Sequence, residues 1–149
     1  MTIAGVAPKL AIPTIIYLII TILIDHFTYP VFKITLTHTS TLVIIGIVLI
    51  LIGIGLIVNV AKKLLKSFKA NILMKDGIYL IFRNPMYAAY LLFIFPGISL
   101  IFNSWLVFTS VILNFFLLQI FAKEEHKYLE EKFGKEYTEY VKKVMIKFL

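Results

Sequence analysis

The residues hardest to explain as mere solvation fall in two short stretches. The first is Asp76-Gly77-Ile78-Tyr79, followed by Arg83-Asn84-Pro85-Met86-Tyr87. Gly77 permits a turn, and Pro85 suits the first position of a helix, where its missing N–H would have had no partner. Asn84 then sits close to an N-cap, with Arg83 and Tyr87 around the helix start. Free amide donors and the partial positive charge of a helix N-terminus favour a carboxylate or phosphate there. The second stretch is Glu124-Glu125-His126, whose adjacent carboxylates can receive an ammonium group or position a donor. Each stretch also has a plainer reading. Asn-Pro begins many helices, an arginine can snorkel, a tyrosine can join an interfacial aromatic belt, and a boundary glutamate can simply be solvated.

Other polar groupings carry less. Gly53-x-Gly55 lies in charge-free sequence and not between a strand and a helix, so it is no dinucleotide fingerprint; close helix packing through small residues is the expected role. Asp25, His26 and His38 lack ligand-type spacing, and no metal site is expected. The chain contains no cysteine, which excludes disulfides, Cys-ligated zinc, iron–sulfur clusters and thiol nucleophiles. Basic residues mix with aromatics near the C-terminus, but no nucleic-acid-binding motif accompanies them, so no nucleic-acid partner is expected.

The elements that must position these residues are set by hydropathy. Of 149 residues, 60% are apolar and only 15% charged, against about 45–50% and about 25% in soluble domains. Mean hydropathy is +0.95. The composition predicts an all-α integral membrane protein, residues 1–149 forming one membrane-embedded domain. A helix needs roughly 20 apolar residues to span the hydrocarbon. Residues 41–61 meet this without a charge and end at Lys62-Lys63. An earlier span covers about 10–32, with Asp25 and His26 near the interface. It is not followed by a small-residue cleavage site, so it reads as a retained helix and not a signal peptide. The apolar region from Pro85 to Ala122 is about two spans long; a hairpin of 85–101 and 104–122, turning near Asn103, fits best.

Four spans place both termini on the same side as the segment Lys62 to Arg83. Fourteen of the fifteen basic residues then share that side, with Lys33 alone opposite. By the positive-inside rule the loaded face is cytoplasmic, which predicts a cell-membrane protein with both termini in the cytoplasm. The net charge of +7 suits anionic lipid. Residues 123–149 form a cytoplasmic amphipathic tail: Leu129, Phe133, Tyr137, Val141, Val144 or Met145, and Phe148 recur at helical spacing, with Gly134 as a break. Taken alone, that stripe reads as an interfacial anchor. The hairpin returns the Arg83–Tyr87 cluster and the Glu124-Glu125 pair to one membrane face, so a single site can use both.

The order D-G-I-Y-x-x-x-R-N-P-M-Y (Asp76 to Tyr87), then a hairpin, then E-E-x-x-x-L-x-x-x-F-G-x-E-Y-x-x-Y-x-x-x-V (Glu124 to Val144) resembles the isoprenylcysteine carboxyl methyltransferase family. The NPMY and Glu-Glu elements are similar to those of the integral-membrane phospholipid N-methyltransferases. The resemblance covers roughly Gly53 to Val144. It implies a bilayer-embedded methyltransferase using S-adenosylmethionine, with a cofactor pocket built from the hairpin and the C-terminal helices. Tyr79, Arg83, Asn84, Pro85 and Tyr87 fall on the first cofactor motif, and Glu124 and Glu125 on the second. Gly53 and Gly55 fall loosely on the glycine pair of the phospholipid branch. Some members have His where this chain has Asn84, and the family tail usually continues V-x-R and a final proline, which Val144-Met145-Ile146-Lys147 lacks. The implied acceptor is a lipophilic molecule: a prenylcysteine-like carboxylate, a lipid amine or a thiol. No catalytic base is assigned. A non-catalytic four-helix membrane scaffold is the competing reading, and a transporter is disfavoured by the absence of charges from the middles of the spans.

Overall fold

The computed structural model describes residues 6–35, 38–70 and 72–147. Among them the chain is helical, with two isolated bridges and no strand. Helix α1 is Ala7–Phe27 and α2 is Thr39–Ala70. A single turn, α3 (Ile78–Ile81), precedes a helix in three parts: α4 (Pro85–Ala89), a π segment (Tyr90–Ile94) and α5 (Phe95–Ile101). Then come α6 (Trp105–Phe133) and α7 (Lys135–Lys143). Three helices, α1, α2 up to Ser67, and α6, are long and apolar enough to cross a membrane; Pro85–Ile101 is a shorter apolar helix. Large apolar side chains along α1 and α2, among them Ile16, Ile20, Ile44 and Leu51, are exposed, as lipid-facing residues must be. The protein is an integral membrane protein.

The hairpin forms where the sequence predicts it. Asn103 adopts φ 52°, a left-handed turn conformation that asparagine tolerates better than most residues. Ser104 then caps α6 by accepting a hydrogen bond from the Val107 amide at 3.3 Å. Phe95-Pro96-Gly97 does not break the helix. Pro96 has no N–H and its ring clashes with the carbonyl four residues back. The backbone widens just before it, with the Phe95 amide donating to the Tyr90 carbonyl, and the helix continues.

Two boundaries differ from expectation. The first helix stops at Phe27, and residues 28–32 are turns: Thr28 bonds back to the Ile24 carbonyl and Pro30 cannot donate to extend the ladder. At the other boundary, α6 runs unbroken from the apolar span through Lys123 and Glu125 to Phe133, because nothing between Ala122 and Phe133 disfavours helix. The break comes at Gly134, whose φ of 53° and ψ of −123° suit glycine alone.

Packing is close. α2 lies against α5, and α1 against α6. Between α1 and α6 the amide of Asn114 donates to the Thr14 hydroxyl at 3.1 Å, and the hydroxyls of Tyr17 and Thr109 are 2.9 Å apart. At one end of the bundle the 28–35 loop pairs with the hairpin turn, the Trp105 amide donating to the Phe32 carbonyl and the Ile34 amide to Asn103. There Lys33 reaches the Phe102 carbonyl at 2.9 Å and the buried Asp25 carboxylate at 3.5 Å. The start of α1, the 72–84 segment and α7 gather at the opposite end.

Candidate functional site

At that second end the chain closes a cavity of about 520 Å³. Four pieces build its wall. The last turns of the membrane part of α2 contribute Val60, Ala61, Leu64 and Leu65; the start of the hairpin contributes Arg83, Asn84, Pro85 and Tyr87; α6 contributes Glu125, Tyr128 and Leu129; α7 contributes Tyr137 and Tyr140. Ala7 at the start of α1, and Leu73, Met74 and Tyr79 from the segment before the hairpin, complete it.

The polypeptide reaches this arrangement through two glycine turns and one short backbone pairing. Gly77, at φ 64° and ψ −123°, turns the chain into α3, so that Tyr79 points inward and is buried. Gly134 turns α7 back across the cavity mouth, and its Tyr140 hydroxyl donates to the Tyr79 carbonyl at 2.9 Å. Beyond α7, the Met145 and Ile146 amides donate to the Leu80 and Ile81 carbonyls, and the Arg83 amide donates back to Ile146. The backbone on either side of Arg83 is thereby held from the far end of the sequence. Tyr79, Tyr137, Tyr140, Val60, Leu73 and Val144 form one buried cluster. Of the stripe that alone suggested a lipid anchor, Leu129, Phe133, Tyr137, Val141 and Val144 pack against protein; Phe148 lies outside the described residues.

Most of the residues singled out from the sequence meet here. Tyr79, Arg83, Asn84, Pro85, Tyr87 and Glu125 all line the cavity. Tyr87 donates a hydrogen bond to Glu125 Oε2 at 2.8 Å, which ties the hairpin start to α6 as the topology argument required, and the Val6 backbone also reaches Glu125. Glu124 is not brought in. Successive helical residues diverge by about 100°, and its carboxylate, half exposed, pairs with Lys9 of α1. Asn84 is the residue before α4, as expected, yet its side chain does not cap that helix. Gly53 packs against Ile94 and Phe93, whereas a Cβ on Gly55 would meet nothing within 4 Å, and neither glycine lines the cavity.

The electrostatics of the wall are divided. Arg83 Nε and Asn84 Nδ2 are buried without a hydrogen-bond partner among the described residues, and buried donors are rarely left so unless a ligand or water serves them. Burial pushes the Arg83 guanidinium below its usual range and pushes the Tyr79 phenol up to about 12. Against these donors stands one carboxylate, Glu125, half-buried beside apolar side chains. Tyr137, read from the sequence as part of the stripe and of the second motif, and Tyr140, read only within that motif, were not named as site residues; each is 4% exposed and belongs to the wall. Their signal was tyrosine at positions of the buried face where aliphatic residues would have served packing equally well.

The site is thus a chamber at one end of a helical membrane protein, with donors at one wall and a carboxylate at another. The family is given by comparison: the phospholipid methyltransferase model matches residues 40–136, well over half of the chain. The chain belongs to the phospholipid methyltransferase family, within the isoprenylcysteine and phospholipid methyltransferase group. No curated protein and no solved structure matches it.

Proposed function

We propose that this chain transfers a methyl group from S-adenosylmethionine to a lipophilic acceptor, a prenylcysteine-like carboxylate, a lipid amine or a thiol, at the cytoplasmic membrane face. The observation that carries the reading is the pair of unpartnered buried donors, Arg83 Nε and Asn84 Nδ2, in the same cavity wall as Glu125. The residues fit the cofactor's chemistry. Arg83 and Asn84 would hold its carboxylate through charge-assisted hydrogen bonds, and Glu125, oriented by Tyr87, would hold its ammonium. The faces of Tyr79 and Tyr87 suit an adenine or, by cation–π attraction, a sulfonium. A volume of about 520 Å³ lies inside the roughly 300–1,000 Å³ common for small-molecule sites. When bound, the cofactor supplies an activated methyl group on its sulfonium, so what the protein contributes is orientation and exclusion of water. The α2 wall of Val60, Ala61, Leu64 and Leu65 gives a lipophilic acceptor an apolar surface next to the bilayer. The basic end of the bundle suits the cytoplasmic leaflet.

Calorimetric titration of the detergent-solubilised protein with S-adenosylmethionine and S-adenosylhomocysteine tests this. Saturable binding is expected. Glu125→Ala should weaken it about tenfold or more, as loss of a charged hydrogen-bond partner does. Glu124→Ala, which removes only an exposed ion pair, should change it by about twofold at most. Folded protein that binds neither ligand, in lipid as in detergent, would leave the scaffold reading standing instead.

A further inference from the structure

Tyr137 and His126 form a pair that the proposed function does not use. His126 is the residue after Glu125 on α6, about 100° around the helix from it, and stands behind the cavity wall without lining it. Its Nδ1 lies 2.6 Å from the Tyr137 hydroxyl, and the two rings stack at 25° with centroids 6.4 Å apart. Tyr137 lines the cavity while His126 does not. His126 Nε2 is buried with no partner among the described residues. The two tautomers of the neutral ring differ in what that leaves behind. A proton on Nε2 would strand a buried N–H; a proton on Nδ1 leaves only a bare acceptor there, and orphaned buried N–H groups are the rarer of the two in proteins. With the proton on Nδ1, the ring donates to the Tyr137 oxygen, so the phenol's own O–H must find its acceptor elsewhere. In the wall around it the other polar groups include Arg83, Asn84 and Glu125, the last already accepting from Tyr87; the Arg83 charge acts on both rings, and those of Glu125 and Glu130 on Tyr137 as well. Burial keeps the phenol protonated, with its pKa pushed up to about 12. The corner therefore presents three donors and asks for an anion.

We propose that Tyr137 donates a hydrogen bond to the carboxylate of the bound cofactor and that His126 is the positioning residue that aims its hydroxyl. This rests on the cofactor reading above. Tyr137 is the third donor of the carboxylate corner, beside Arg83 and Asn84. His126 acts only through it.

The test uses the full chain in detergent and two probes: S-adenosylhomocysteine, and the analogue that keeps its amine but lacks its carboxylate. Tyr137→Phe removes only the hydroxyl. It should weaken S-adenosylhomocysteine binding about tenfold and leave the decarboxylated probe within about twofold. At position 126 two amides of similar polarity separate aim from packing. His126→Asn places an N–H where Nδ1 was and should hold S-adenosylhomocysteine affinity within about threefold. His126→Gln places it nearer Nε2 and should lose as much as Tyr137→Phe. Equal weakening of both probes by Tyr137→Phe would assign the hydroxyl a structural role and overturn the proposal, as would unchanged affinity for S-adenosylhomocysteine. Equal losses from His126→Asn and His126→Gln would overturn the part played by His126. If the unmodified protein binds S-adenosylhomocysteine while Tyr137→Phe changes nothing, this inference alone fails. If the unmodified protein binds neither probe, the cofactor reading fails and takes this one with it.

Discussion

The buried phenols give the site a pH signature of its own. Tyr79 and Tyr137 are both pushed from 10.0 up to about 12 by burial. A folded-state pKa raised in this way contributes stability that is fully present below about 10 and is lost as pH rises through about 12. Ultraviolet titration of phenolate should therefore show a late step that Tyr137→Phe removes from the region near 12 and not from that near 10; a missing step near 10 would mean the hydroxyl is exposed. At this scale the sequence was informative where a residue type was scarce. Arg83 is the only arginine, and a lone arginine beside Asn-Pro in a lysine-rich chain needs a reason. Glu124 and Glu125 could not be told apart, because their roles depend on where α1 lies: Lys9 takes the outward carboxylate, and Tyr87 the inward one. Tyr137 was hidden by periodicity, which says that a face is buried without saying against what, and Tyr140 stood in the second motif without a role of its own.

Among the elements, the α2–α5 contact depends on glycine. A Cβ on Gly46 would stand 2.6 Å from the Gly97 carbonyl oxygen, and one on Gly97 would stand 2.7 Å from Ile50. Since backbone cannot yield as a flexible side chain can, Gly46→Ala should destabilise the protein by about 1–3 kcal/mol. Gly55→Ala meets nothing and should be neutral or stabilising by up to about 1 kcal/mol. Thermal unfolding in detergent separates the two, and equal melting temperatures would contradict the packing. Small-residue packing was legible at Gly53, although the Gly-x-Gly spacing wrongly joined Gly55 to it; the partner helix selects one glycine and lipid faces the other. The hairpin was legible because the length from Pro85 to Ala122 demands two spans and Asn103 offers the turn. The π segment was not, since sequence announces that Pro96 removes a hydrogen bond without saying whether the backbone breaks or widens.

For the whole molecule, the distribution of charge carries most of the argument. Fourteen basic residues belong to one side of the four-helix reading and Lys33 to the other. The structure gathers Lys9, Lys75 and Arg83 at the end that holds the cavity, through Glu124, Glu136 and the C-terminal pairing. Because the chain has no cysteine, single-cysteine variants report sidedness directly. In right-side-out vesicles a membrane-impermeant maleimide should label Tyr29→Cys at once and Lys142→Cys only after permeabilisation, as the positive-inside rule requires. The reverse pattern would overturn the cytoplasmic placement, and labelling of both from outside would overturn the even number of spans.

The short pairing between residues 145–146 and 80–83 also has a consequence during synthesis. Those last residues leave the ribosome after every other part of the chamber, and domains are completed only as their chain emerges. The helices can enter the bilayer first, but the wall around Arg83 cannot close until translation has passed Ile146. A nascent chain that stops short of Ile146 would thus be inserted with this wall still open.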